Sequence, residues 1–183
     1  MAERPMRADA RRNRDKVLRA AREAFARSGY DVPLDEIAAL AGVGPGTVYR
    51  HFPSKEALFE AVMAARVRDL AAYARDRAAA DDPGTAFFGF LARIRDEAAA
   101  KRDMPDAIEA PGPLRDEVFA ALDVLLRRAQ QAGAVRADVT AHDLIVLLKG
   151  LLRGLQDTPA GDEGETQRGR LFGVVADGLR EHP

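Results

Sequence analysis

The sequence predicts an all-α protein in two parts, a basic helical unit over residues 11–53 and a helical bundle over 54–183, preceded by a flexible basic arm of residues 1–10. Three observations carry this. Apolar residues recur at three- and four-residue spacing along the chain, and no alternating run bounded by hairpin turns interrupts them. Glycine and proline fall between the periodic stretches, at Gly29, Pro33, Gly42, Pro53 and Gly133. Charge is uneven: residues 1–55 carry eleven Lys/Arg against seven Asp/Glu, residues 56–183 seventeen against twenty-two. A basic end on a chain of net charge −1 suits a polyanionic partner, although so small a split is weak on its own.

The first helix is expected from Arg11 to Ser28, with Val17, Leu18, Ala21, Ala24 and Phe25 on one face and six basic residues, Arg11, Arg12, Arg14, Lys16, Arg19 and Arg22, on the other. Gly29 follows as a left-handed cap. The second is short, Leu34 to Ala41, its start preset by Pro33 and favoured by Asp35 and Glu36 at the positive end of the helix dipole. Gly42-Val43-Gly44 breaks it, and a third short helix runs from Pro45 to before Pro53. Ser54 caps a fourth, which turns Leu58, Phe59, Val62 and Met63 inward.

Asp82-Pro83-Gly84 opens a helix bearing Phe87, Phe88, Phe90, Leu91 and Ile94. Residues 104–113 read as a short, proline-interrupted segment. Leu114 to Ala132 is strongly amphipathic, and Thr140 with Asp143 forms a capping box for the next helix. That helix, to about Leu155, reads as apolar nearly all round. Residues 157–165 read as a polar loop before a last helix with Leu171, Phe172, Val174, Val175 and Leu179.

The chain has no cysteine, which excludes disulfides, thiolate metal sites and a cysteine nucleophile. Three histidines, His51, His142 and His182, show no metal-ligand spacing, and no cofactor is expected. No apolar core of signal-peptide length stands near the start. The longest apolar stretch, Leu144 to Leu155, is broken by Lys149 and Arg153 and is too short for a bilayer. The expectation is a soluble cytoplasmic protein with no membrane partner.

Function is written in Leu34 to Lys55. A helix-turn-helix crosses two short helices over a tight turn, so it needs a small residue at the crossing, here Ala38, and a permissive one in the turn, here Gly42. Ile37, Val43 and Val48 have the spacing for the shared core, with Phe25 completing it. Such a unit sets the start of its second helix against base edges in the major groove. Here that start is Gly44-Pro45-Gly46-Thr47, which offers no bidentate hydrogen bonds. Direct reading would rest on Thr47, on close backbone approach and on Arg50. Tyr49, His51 and Lys55 suit phosphate oxygens.

These residues resemble the TetR family. The family pattern is matched by Ile37-Ala38, Ala41-Gly42-Val43, Gly46-Thr47-Val48-Tyr49-Arg50-His51-Phe52 and Ser54-Lys55-Glu56-Ala57-Leu58, with Ala24-Phe25 and Gly29-Tyr30 upstream. The match spans about residues 11–63; beyond it only length and helical layout agree. Pro33 stands where the family usually has Thr or Ser, so the phosphate contact made there is either absent or moved to the backbone. The resemblance implies a homodimer on double-stranded palindromic operator DNA, acting as a repressor released by a small apolar or amphipathic effector in the bundle.

Several residues carry two readings. The arginines of the first helix are a solvated face unless Arg11, Arg12 or Arg14 meets the DNA backbone, and His142 is a solvated or capping residue. Helical spacing places Phe87 to Ile94 in the bundle core; Phe88, Leu91, Ile108, Phe119 and Leu122 are the candidates for an effector pocket. Leu144, Leu148, Leu151 and Leu155, with Phe172 and Val175, are the expected dimer face. No phosphate loop, catalytic triad or metal motif points to an enzyme. An effector-independent activator, or a helical binding module that keeps the helix-turn-helix as scaffold, are the alternatives.

Overall fold

The computed structural model describes residues 3–99, 112–155, 158 and 161–181. Among them are eight helices: α1 Glu3–Ser28, α2 Leu34–Ala41, α3 Pro45–His51, α4 Lys55–Ala78, α5 Pro83–Ala99, α6 Gly112–Gln131, α7 Ala141–Gly154 and α8 Asp162–Leu179. They form two compact units, parted within α4 between Arg66 and Val67. The boundary expected near residue 53 therefore falls a dozen residues later, because Leu58, Phe59, Val62 and Met63 are buried in the first unit's core.

In the first unit α1, α2 and α3 pack on one another. α1 starts at Glu3, eight residues before the expected Arg11, so the arm assigned to residues 1–10 is helical from its third residue. Apolar periodicity could not show this, since Glu, Arg, Met and Ala favour helix without needing a buried face. Gly29 at φ 71° ends α1, its N–H donating to the Phe25 carbonyl at 3.1 Å. α2 closes on Gly42 at φ 64°: the Gly42 N–H donates to Ala39 O and the Val43 N–H to Ala38 O, both at 3.1 Å. This paired closure satisfies two end carbonyls and swings the chain toward α3. Ser54 caps α4 by accepting the Ala57 N–H at 3.2 Å.

The second unit buries Ala71, Ala74 and Ala78 of α4, Phe87, Phe90, Leu91 and Ile94 of α5, Leu122, Leu125 and Leu126 of α6, Leu144 and Leu148 of α7, and Phe172 and Leu179 of α8. α5 packs on α6 and α8, and α6 on α7. Thr140 and Asp143 form the expected capping box at the start of α7. α8 begins at Asp162, inside the stretch read as a polar loop, because Asp162, Glu163 and Glu165 crowd its first turn and favour the positive end of the helix. Arg180 is joined to Val135 by an antiparallel bridge, with its guanidinium 4.2 Å above the Phe88 ring.

One glycine is fixed by packing alone. A Cβ on Gly84 would lie 2.7 Å from the Ala134 Cβ, so the start of α5 meets the α6–α7 turn only without a side chain. Gly89, also in α5, has nothing within 4 Å of such an atom. Gly84→Ala should therefore lower stability by about 1–3 kcal/mol through overpacking, whereas Gly89→Ala should raise it by up to about 1 kcal/mol through helix propensity. Chemical denaturation of the two variants checks the contrast; equal effects would show that the close approach is not a constraint.

Candidate nucleic-acid interface

α3 is positioned by its buried residues. Val48 and Phe52 sit in the first unit's core with Ile37, Ala38 and Phe25. Phe25 and Phe59 meet edge to face at 5.5 Å, and Tyr30 closes on Phe59 the same way at 5.2 Å, so α1 and the start of α4 clamp together behind α3. With Val48 and Phe52 inward, Gly44, Pro45, Gly46, Tyr49 and Arg50 are exposed, Tyr49 at 51%. Thr47, His51 and Lys55 are half-buried. Of the eight residues proposed from sequence, seven thus belong to α3 and its N-cap, and Lys55 is the first residue of α4.

Gly44 is the N-cap of α3 at φ −69°, ψ 148°, an extended conformation any residue adopts, and Pro45 is the first helical residue. A Cβ on Gly44 or Gly46 would find no atom within 4 Å. Neither backbone geometry nor packing within the chain requires glycine at these two positions. Gly46 in fact costs helix stability. Pro33 is the exposed N-cap of α2 and makes no side-chain capping hydrogen bond, so no hydroxyl is presented there.

Lys55 is held by a contact that sequence reasoning missed. Its Nζ lies 4.7 Å above the Tyr30 ring, and the Tyr30 hydroxyl donates to Glu56 Oε1 at 2.9 Å. The Glu56 carboxyl is held below the ordinary carboxylate range by its own backbone N–H, then by the Ser54 and Tyr30 hydroxyls. Partial burial and that same hydrogen bond push the Tyr30 hydroxyl up. Tyr30 thereby fixes the neighbours of Lys55 and leaves the ammonium at the start of α4, where free backbone N–H groups also favour an anion. The Gly29-Tyr30 pair was visible in the sequence, but its link to residue 56, over two intervening helices, was not.

Of the arginines on α1, Arg14 lies beside α3, its guanidinium 5.2 Å from the Phe52 ring. Arg12 is paired with Asp9, and Arg27 bridges to Glu36 of α2 at 3.1 Å. Such exposed pairs contribute at most about 1 kcal/mol.

The candidates in the second unit fare differently. Leu91 and Leu122 are buried in its core and Phe88 packs partly against it. Phe119 is 39% exposed. The residue before it, Val118, packs on the core, since the inward stripe of α6 runs through Leu114, Ala121, Leu122, Leu125 and Leu126. Ile108 lies outside the described residues. The expected dimer face also needs correction. Leu144, Leu148, Leu155 and Phe172 are buried in the chain's own core and have little surface to give a partner, whereas Leu151 and Val175 are only half-buried, and Val175 reaches the outer face. The neighbouring positions are the outward apolar ones, Val146 at 58% and Val174 at 70% exposure, with Leu147 and Leu171. α7 is two-faced, not apolar all round: Lys149, Gly150, Arg153 and Gly154 complete its exposed side. An open groove of about 580 Å³ runs between α7 and α8, lined by Val139, Val146, Leu147, Val174 and Val175, with Arg136 and Asp143 also on its wall. Among the described residues, no helix is long and apolar enough to cross a membrane.

Comparison with known proteins agrees with this architecture. Residues 17–62 match the model for bacterial regulatory proteins of the tetR family, and residues 82–181 match that for the C-terminal domain of SbtR-like transcriptional regulators. An HTH-type transcriptional repressor of Mycobacterium tuberculosis is 30% identical, over 91% of this chain and 92% of its own. A TetR transcription regulatory protein from Mycobacterium vanbaalenii is 40% identical, with a TM-score of 0.70 over 96% of this chain and 99% of its own. A TetR transcriptional regulator from Streptomyces coelicolor is 35% identical, with a TM-score of 0.74 over 93% and 99%. The chain belongs to the TetR family of helix-turn-helix transcriptional regulators.

Proposed function

We propose that the protein is a repressor that binds a palindromic operator as a two-fold dimer and leaves it when a small molecule occupies the second helical unit. The observation that carries the DNA reading is the bare start of α3. Gly44 and Gly46 are exposed glycines with no role inside the chain. What they permit is the close approach of something outside it, and a DNA backbone or base edge fits that role. Around them stand Thr47 and Arg50 for base edges and Tyr49, His51 and Lys55 for phosphates. Repression is supported by the name of the Mycobacterium tuberculosis relative.

The dimer forms across the outward face of α7 and α8. Val146, Leu147, Leu171 and Val174 are contiguous with an open apolar groove, and a second copy related by a two-fold axis would cover the same surface on each chain. The two α3 helices must then lie about 34–36 Å apart to enter successive major grooves. An effector acts by favouring another separation, and moving the population from 1:99 to 99:1 takes about 5.5 kcal/mol of differential affinity.

Three results are expected. First, Gly46→Ala should raise thermal stability slightly, by up to about 1 kcal/mol, and weaken operator binding at least tenfold in a titration against DNA from upstream of its own gene, with random DNA as competitor. A variant that is stabler and binds equally well would remove the close-approach argument. Second, Lys55→Ala should reduce the slope of log affinity against log salt by about 1, with sequence preference unchanged; an unaltered slope would mean that Lys55 contacts no phosphate. Third, Val174→Asp with Val146→Asp should sediment as a helical monomer and lose the palindrome while wild type sediments as a dimer. A double variant that stays dimeric would place the interface elsewhere.

A further inference from the structure

Arg168 is the charged residue buried in the described part of the second unit. It is 7% exposed and lies on the inward stripe of α8, one turn before the core residue Phe172. Its Nη1 donates to the Thr158 hydroxyl at 3.1 Å, and that hydroxyl donates in turn to the Leu155 carbonyl at 2.8 Å. Its Nε is buried with no hydrogen-bond partner. Among the described residues no carboxylate forms a salt bridge with it, although exposed arginines such as Arg75 and Arg136 each have one. A guanidinium removed from water and answered, among the described residues, only by a neutral hydroxyl is costly. The negative end of α7, at Leu155, offsets part of that charge but supplies no second acceptor.

We propose that Arg168 is the anion-recognition residue of the effector site, and that the effector is a monoanionic carboxylate attached to an apolar body. This deepens the effector-released repressor reading and rests on it. The charge argues for a monoanion: one buried guanidinium neutralises one carboxylate, whereas a dianionic phosphate would leave a net charge buried. The geometry argues for a planar acceptor. With Nη1 held by Thr158, the edge carrying Nε–H remains, and that edge accepts a carboxylate side-on. The surroundings argue for an apolar body, since Leu155 and Phe172 belong to the same buried cluster. Among the described residues this buried charge has no ionic partner. Pairing it favours whichever arrangement of the helices seats the acid, which is the differential affinity that release from DNA requires.

The test uses the full-length protein and the variants Arg168→Met and Arg168→Lys. Thermal melting is followed with benzoate and octanoate, and with benzamide and octanamide as neutral counterparts; affinity for the upstream DNA is measured in parallel. The expected result has three parts. Arg168→Met, without additive, melts at the same temperature as wild type or higher and binds DNA equally. At least one carboxylate raises the wild-type melting temperature by several degrees while its amide does not. That shift is lost in Arg168→Met and reduced in Arg168→Lys. Arg168→Met melting several degrees below wild type would show that the residue is a structural tie to Thr158, and carboxylate shifts that are absent or equal in wild type and variant would also overturn the proposal. If the Arg168-dependent shift occurs but the same acid leaves DNA affinity unchanged, the anion site stands and effector release falls.

Discussion

Everything the first unit does depends on burying Val48, in a helix too short to exist alone, together with Phe52 at that helix's C-cap. α3 has seven residues, well under the roughly 12–15 that an isolated helix needs in water. Its structure is therefore imposed by packing: Val48 and Phe52 anchor it to α1 and α2, and the Phe25–Tyr30–Phe59 cluster fixes the support behind it. Truncating Phe25 or Phe59 to alanine would forfeit about 3–5 kcal/mol, a large part of the stability of an ordinary domain. The cost would fall first on the orientation of α3. The exposed residues of α3 inherit their directions from these buried ones, because a helix with two neighbours fixed has no rotation left.

That constraint explains why a surface poor in hydrogen-bonding side chains can still serve as an interface. Gly44, Pro45 and Gly46 present backbone, and backbone placed by a rigid core is already ordered before it meets a partner. Little entropy remains to be lost at that end of the helix, in contrast to a long flexible side chain. Lys55 is treated similarly, since contact with the Tyr30 ring narrows the range of its ammonium. The interface is thus preorganised from its inner side, by residues that touch no DNA in the proposed complex.

How far the sequence revealed this follows from the kind of signal each feature leaves. Helices with a buried face and a capped end were legible: the Gly29 and Gly42 closures, the Ser54 cap and the Thr140–Asp143 box all occur where local chemistry demands them. The beginning of α1 was not, since Glu3 to Ala10 holds too few apolar residues to leave a periodic trace. The faces of α7 were confused for the opposite reason. Val146 and Leu147 stand between Leu144 and Leu148, and only the packing decides which apolar pair faces the chain's own core. Phe119 and Val118 differ by one position in the same way. Arg168 gave no local signal, because a single arginine in a helix reads as solvated until its surroundings are known.

α4 shows how unequal anchoring can favour movement in one part of a continuous helix. Its first half contributes Leu58, Phe59, Val62 and Met63 to the first core. Its second half contributes Ala71, Ala74 and Ala78 to the second, with Leu70 and Tyr73 only partly buried there. Each large side chain is worth about 1.5–3 kcal/mol on burial, against about 0.8 for a methyl group. Displacing the first half would open larger cavities than displacing the second, where small methyl groups are supplemented by the Arg75–Glu117 ion pair, the Arg128 bond to the Ala78 carbonyl and the Tyr73 ring stacked on Phe90.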